Sequence, residues 1–267
     1  MLRRIRNRFR RLHIDLEMRA IKRQGPVDPE DLCRAQWQNS LADPLRFYLK
    51  CFRFFHNQLP EEIRLHRKYF TRNMRGFGED AFHVMWFVLT REFAIRRFLE
   101  IGVYRGQTLS LIALLQRMNG LDGTVTGISP FSSAGDSVSS YLDGIDYLED
   151  TQSNFRAFSL ASPELVRACS TDEDSVKTIR SREWDCIYID GNHDYEVACA
   201  DWSNAAGAVK PGGLIVLDDS ALTTGFVPPS FATKGHPGPS RLAAELDRNQ
   251  FEEILQVGHN RVFRRVA

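Results

Sequence analysis

The stretch Phe98-Leu99-Glu100-Ile101-Gly102-Val103-Tyr104-Arg105-Gly106-Gln107-Thr108 decides how the rest of the chain is read. It begins as a short apolar run and turns glycine-rich. It then feeds a helical pattern, with Leu109, Ile112, Ala113 and Leu115 at helix-like intervals that end near Asn119-Gly120. That order reads as strand, tight loop, helix. Glycine at 102 allows a sharp turn and leaves room for a ligand against the main chain. The free N–H groups of the glycine loop and the helix start face whatever sits above the strand end. Glu100 places a carboxylate at the same strand tip. The dinucleotide fingerprint is G-x-G-x-x-G, and here Tyr104 stands where its middle glycine would be. That bulk argues against a pyrophosphate across the loop and favours a ligand without phosphates.

A chain of 267 residues fits one medium domain with an appended piece. Its apolar fraction is ordinary for a soluble globular protein, and no apolar run is long enough to span a bilayer. The charged N-terminus lacks the apolar segment of a signal peptide. Cys33, Cys51, Cys169, Cys186 and Cys199 are scattered with no C-x-x-C pair. They read as reduced thiols of a cytoplasmic protein, without a zinc site.

Residues 1–23 hold nine Arg or Lys against Asp15 and Glu17, while the remainder is mildly acidic. Leu2, Ile5, Phe9, Leu12 and Leu16 recur at spacings of three and four, on one helix face. Two readings stay open for this segment. One is a peripheral helix on the inner face of a membrane, its arginines at lipid phosphates. The other is a basic helix docked on the domain or a partner subunit. Nucleic acid is excluded as a partner, because the rest of the chain offers no basic groove. Gly25-Pro26 ends the helix, giving a basic segment 1–24. Residues 25–94 read as a helical region rich in aromatics: Trp37, Phe47, Tyr48, Phe52, Phe54, Phe55, Tyr69 and Phe70. Core packing is the expected use of that cluster, an acceptor pocket the other. Gly76-Phe77-Gly78 reads as a loop, and Ala81 to Leu89 as a helix.

From residue 95 to 267 strand and helix alternate, the pattern of a doubly wound, Rossmann-like α/β sheet. Strands are expected at Gly123 to Ile128, Phe155 to Leu160, Trp184 to Ile189 and Leu214 to Leu217. A soft stretch, Ser132 to Asp150, precedes the second of these, and a helix start is read at Ser162-Pro163-Glu164. Tyr195 to Val209 reads as a helix with its glycine stop at Gly212-Gly213. A Pro/Gly-rich loop over 223–240 carries His236. A helix over Arg241 to Asn249 and an antiparallel hairpin, Phe251 to Val257 and Arg261 to Val266, close the chain.

In an open parallel sheet, ligands bind beyond the carboxyl ends of the strands. Glu100, Ser129, Asp190, Asp218 and Asp219 all fall at such ends, with His193 three residues past one of them. A hard divalent ion with oxygen ligands would neutralise the aspartates. Helix capping and hydrogen bonds from loop N–H groups would use them equally well.

Three blocks in this order carry a resemblance: Phe98 to Gly106, Ile187-Tyr-Ile-Asp-Gly-Asn-His193 with Tyr195, and Val209-Lys-Pro-Gly-Gly-Leu-Ile-Val-Leu-Asp-Asp219. The chain resembles the class I S-adenosylmethionine-dependent methyltransferases. More narrowly, it resembles the branch of the macrocin O-methyltransferases and the proteins named cephalosporin hydroxylases. The resemblance covers residues 95–267. It implies S-adenosylmethionine held at Glu100, Gly102, Tyr104, Gly106, Ser129 and Asp190. It also implies a magnesium-like ion on Asp190, Asp218 and Asp219, with His193 and Asp190 serving the chemistry. The acceptor would be a hydroxyl of a sugar or glycosylated small molecule, and the enzyme a homo-oligomer. Members of the family carry an acidic residue at the end of the second strand, where this chain has Ser129, a neutral and shorter hydrogen-bonding group.

Rival functions are weaker. Gly191-Asn192-His193-Asp194 matches one fragment of the metallophosphoesterase signature, whose other parts are absent. A nicotinamide oxidoreductase is opposed by Tyr104 and Ser129. A methyltransferase-like domain without catalysis, held in a membrane-associated assembly, is favoured by Ser129 and opposed by the retained aspartates and His193. Glu100→Ala and Gly102→Val are expected to weaken cofactor binding with the fold intact.

Overall fold

The computed structural model describes residues 2–134 and 141–266. Residues 135–140, within the stretch read as soft, and the side chains of Leu2 and Ile5 lie outside the described residues. The N-terminal part is helical: α1 (Leu2–Lys22), α2 (Gln38–Ala42), α3 (Pro44–Asn57), α4 (Glu61–Phe70) and α5 (Asp80–Phe93). Strands and helices then alternate as β1 (Arg97–Ile101), α6 (Gln107–Met118), β2 (Thr124–Ser129), α7 (Tyr147–Ala157), β3 (Glu164–Arg167), α8 (Glu173–Arg180), β4 (Trp184–Ile189), α9 (Tyr195–Ala208) and β5 (Val209–Leu217). The chain closes with α10 (Pro237–Glu245), β6 (Phe251–Val257) and β7 (Asn260–Arg265).

The seven strands form one sheet in the order β3-β2-β1-β4-β5-β7-β6. β1 pairs in parallel with β2 and β4, while β7 runs antiparallel to both β5 and β6. The sheet reverses its winding between β1 and β4, so the loops after these strands open into one crevice. Alternate residues of each strand feed two cores. Phe98, Tyr188, Val216 and Val262 pack on the face covered by α5 and α6. Leu99, Ile101, Ile187, Ile189, Ile215 and Leu217 pack on the other, against Ala198, Trp202 and Ala205 of α9 and Leu242 of α10. The central strands are buried on both faces, as a parallel sheet between helical layers requires.

Of the aromatics of residues 25–94, Trp37, Phe47, Tyr48, Phe52 and Phe55 belong to the first of these cores, and Phe54 packs against it. On α3, Phe47, Tyr48, Cys51, Phe52 and Phe55 are buried along one stripe. Asp43 caps that helix by accepting from the Arg46 N–H at 3.0 Å, and Pro44 takes the first helical position. The helical region and the sheet therefore share one core. Arg105, in the glycine loop, fastens them further. Its buried guanidinium pairs with Asp150 and donates to the Asn73 carbonyl at 2.9 Å.

Three expectations are corrected. Phe155 to Leu160 is not a strand. Asp146 accepts from the Glu149 N–H and caps a helix whose residues Tyr147, Thr151, Asn154 and Phe155 are buried at helical spacing. The run after Phe155 is that helix's end, turned out through Ser159 at φ +51°. The third strand is instead Glu164–Arg167, where a helix start is read from the sequence. It is the half-exposed edge of the sheet, so it lacks the continuous apolar run that marks a central strand. The last helix begins four residues earlier than expected, at Pro237, because proline suits the first helical turn.

Candidate active site

The carboxyl ends of β1, β2, β4 and β5 open into a cavity of about 750 Å³. Glu100, Gly102, Tyr104, Ser129, Asp190, His193, Asp218 and Asp219 all line it, and Gly106 starts the helix beside it. The far wall comes from the N-terminal region, including Arg75, Phe77, Glu79 and Trp86.

The β1 and β4 loops interlock. The Gly102 N–H donates to the Ile128 carbonyl at 2.9 Å, and the Asp190 N–H to the Ile101 carbonyl at 2.8 Å. Gly102 sits at φ +101°, and a Cβ there would lie 1.9 Å from the Asp190 carbonyl oxygen. The Glu100 side chain accepts the Leu109 N–H at 3.1 Å, in the first turn of α6. Burial pushes its carboxyl up to about 8 against that hydrogen bond, and the charge of Asp218 adds to the rise. The Tyr104 ring packs on Phe77 at 4.7 Å and Tyr147 at 5.2 Å, so it forms a rim rather than filling the loop. Ser129 is buried, and its Oγ accepts the Phe131 N–H at 3.3 Å.

The other end of the cavity holds the aspartates with three imidazoles. Burial pushes Asp190 well above the carboxylate range, reinforced by Asp218, with which it shares a hydrogen bond. Burial would raise Asp218 too, but His259 at 3.2 Å outweighs it and holds that carboxyl at about 2. His259 in turn is pushed up to about 10: its burial opposes protonation, and Asp218, Asp219 and Glu79 override it. Thr233 meets its Nδ1 at 2.9 Å. Asp190 thus carries the proton, and Asp218 and His259 form an ion pair.

Asp219 divides its oxygens. Oδ1 lies 3.8 Å from His259, whereas Oδ2 lies 2.9 Å from His193 Nε2 and 3.8 Å from His236 Nε2. The rings of His193 and His236 are 4.1 Å apart. Backbone packing presses these residues together. The His236 N–H donates to the Asp219 carbonyl at 2.8 Å. At Gly238, in the first turn of α10, a Cβ would come within 2.1 Å of the His193 carbonyl oxygen. Asp219 itself is held at φ +51°, an unusual backbone for a non-glycine residue. A histidine gripped by a carboxylate at the edge of a cavity can accept a proton from a bound molecule.

Sequence reasoning brings Glu100, Gly102, Ser129, Asp190, His193, Asp218 and Asp219 to one place, and they do meet there. It misses His259. That residue lies in the hairpin turn, and reaches the site because β7 runs antiparallel beside β5. It also misses the N-terminal wall. Tyr48 and Thr233 converge on Glu79, the former by a 2.7 Å hydrogen bond, but residues so far apart in sequence carry no shared local pattern.

Residues 99–220 match the family model described as a methyltransferase domain. Among solved structures, the chain is similar to cofactor-bound Rv0187 from MTB, with a TM-score of 0.55 and 16% identity over 81% of this chain and 96% of that one. It is similar to the SAH-bound methyltransferase PaMTH1 of Podospora anserina, with a TM-score of 0.54 and 14% identity over 78% and 89% of the two chains. The O-methyltransferase from Bacillus cereus in complex with SAH gives 0.51 and 16% over 79% and 93%. A search of curated proteins finds no match. The matched methyltransferase-domain stretch runs from β1 to just past β5 and carries Glu100, Gly102, Ser129, Asp190, His193, Asp218 and Asp219, the residues that line the cavity.

Proposed function

We propose that the protein transfers the methyl group of S-adenosylmethionine to a hydroxyl of a sugar or glycosylated small molecule. The observation that carries this reading is the His193–Asp219 pair, 2.9 Å apart, at the edge of the cavity that Glu100 and Gly102 also line. One end suits the cofactor. Glu100 offers a carboxyl to the cationic methionine portion, the glycine loop leaves its backbone uncovered, and Ser129 Oγ offers the ribose a neutral hydrogen bond. The bulk of Tyr104 suits a cofactor without phosphates. The other end gathers the carboxyl and imidazole groups of Asp190, Asp218, Asp219, His193 and His236, a lining that suits a hydroxyl-rich ring. The Bacillus cereus O-methyltransferase is in keeping with oxygen as the nucleophile.

The bound sulfonium already activates its methyl group, so this chain aligns the two substrates and handles one proton. The acceptor oxygen attacks the methyl carbon, the carbon–sulfur bond breaks, and its electron pair stays on sulfur, giving S-adenosylhomocysteine. His193, held by Asp219 Oδ2 at 2.9 Å, takes the hydroxyl proton on its imidazole. A magnesium-like ion on Asp190, Asp218 and Asp219 enters no step. Asp218 is paired with His259, and Asp219 with His193 and His236, so imidazoles hold the carboxylate oxygens that such an ion would need. Such a set does not fit an ion that demands oxygen ligands. Calorimetry with S-adenosylhomocysteine tests the reading. Binding is expected, weakened at least about tenfold by Glu100→Ala, since a charge-assisted contact contributes about 1.5 kcal/mol or more. Absence of binding by the unaltered protein would refute it.

α1 serves as a peripheral contact with an anionic membrane. Among the described residues no helix is long and apolar enough to cross a membrane. Phe9, Leu12 and Leu16 are 68%, 52% and 55% exposed on one face of α1, among Arg10, Arg11 and Arg19. The end of the helix is tied down instead: Ile21 is buried, Lys22 lies over the Phe52 ring, and Glu17 accepts from the Ser230 N–H at 3.1 Å. Apolar burial and attraction to anionic headgroups would act together at the free face. Changing Phe9, Leu12 and Leu16 together to Ser is expected to abolish sedimentation with phosphatidylserine vesicles at low salt. The affinity for S-adenosylhomocysteine should stay unchanged. Sedimentation of this variant like the parent would sink the assignment.

A further inference from the structure

The geometry points to a binding site for a transition-metal ion, of the zinc, cobalt or nickel type, formed by His193, Asp219 and His236, whose occupation switches the enzyme off. The ligand atoms of these three residues all lie within 4.8 Å of one another. Both Nε2 atoms converge on Asp219 Oδ2, at 2.9 and 3.8 Å. Three donors each about 2.1 Å from a tetrahedral ion sit roughly 3.4 Å apart, between those two distances. All three residues also line the cavity.

Two imidazoles and one carboxylate select the kind of ion. Magnesium keeps oxygen ligands and water, while nitrogen donors favour the later divalent transition metals. The site is also built, not a chance meeting of surface chains. Gly238 lets α10 approach the His193 backbone, and the loop before α10 is bridged at Gly235 to Ser220, just after β5. His259 already draws Asp219 Oδ1 to the other side, which leaves Oδ2 turned toward the pair of imidazoles.

Inhibition follows from the imidazole's two nitrogens. A neutral histidine that ligates through Nε2 carries its hydrogen on Nδ1. His193 Nδ1 then has no lone pair for the acceptor's proton. Ion and catalysis compete for one ring, and any proton on the two Nε2 atoms is released when the ion binds. The inhibition rests on the proposed role of His193, whereas ion binding does not.

The test uses the full-length protein freed of metal and titrated with Co2+. The expected result is a visible absorption band of low-coordinate cobalt, displaced by Zn2+ and not by Mg2+. His236→Gln and Asp219→Asn should each weaken cobalt binding at least tenfold, while His13→Gln on α1 should leave it unchanged. In turnover, Zn2+ should inhibit, a chelator should restore the rate, and half-inhibition of His236→Gln should need at least tenfold more Zn2+. The site is overturned if no band forms, if neither variant weakens it, if Mg2+ competes equally, or if thiolate charge transfer places the ion on a cysteine. The inhibitory role is overturned if turnover requires the ion. If the protein fails to bind S-adenosylhomocysteine, the cobalt titration still decides the site, so the two failures are told apart.

Discussion

Gly102→Ala is expected to leave the protein without measurable affinity for S-adenosylhomocysteine and to cost more than about 4 kcal/mol of stability, at the extreme of single substitutions. A Cβ at this position would stand 1.9 Å from the Asp190 carbonyl oxygen and 2.5 Å from the Gly191 Cα. Both are backbone atoms, so no side chain can swing aside. The φ of +101° adds strain for any residue with a Cβ. The collision also falls beside a contact that ties the β1 loop to the β4 loop, where the Asp190 N–H meets the Ile101 carbonyl. Relief requires separating these loops, which carry Glu100 and Asp190. The expectation from sequence that valine here spares the fold is therefore revised: the same atom position serves both site and fold. Gly120→Ala is the control. Gly120 also has a positive φ, +64°, but a Cβ there meets nothing within 4 Å, so only about 1–2 kcal/mol of left-handed backbone strain is expected. Urea unfolding and calorimetry of the two variants make the comparison. A folded Gly102→Ala protein with near-native affinity would show that the loops can part freely.

His193→Gln is expected to lower kcat by about 10²- to 10⁴-fold, the usual contribution of a positioned base. Cofactor affinity should stay within about twofold, because the residues assigned to the cofactor come mainly from the ends of β1 and β2. Asp219→Asn should also act mainly on kcat. Asparagine tolerates the left-handed backbone that Asp219 adopts, at φ +51°, so the substitution tests chemistry rather than folding. What it removes is the negative charge beside the His193 imidazole. If the two residues act as a unit, the double variant loses little more than His193→Gln alone. Single-turnover rates separate this from product release. A full additive loss would assign Asp219 an independent role, and an unchanged rate in His193→Gln would remove the base from the proposal.

Much of this was legible in local sequence. The Phe98 to Thr108 stretch reads as strand, glycine loop and helix because apolar run, glycine position and helical spacing all agree over a few residues. Asp190, Asp218 and Asp219 were placeable together because each ends a strand of a parallel sheet, and such ends share one edge. The aromatic stripe of α3 announces core by its spacing. Other parts were decided only by tertiary structure. β3 is a half-exposed edge of four residues, and its pairing with β2, not its composition, makes it a strand. His259 is remote from Asp218 along the chain. The antiparallel placement of β7 beside β5 carries it to within 3.2 Å, and that charge settles which aspartate holds the proton. The collision at Gly102 and the wall around Glu79 likewise arise between segments far apart in sequence. Local propensity and periodicity write the elements, because they act over one or two turns. Ion pairs, protonation and close backbone approach depend on distances of a few ångströms between elements, and those exist only once the sheet is assembled.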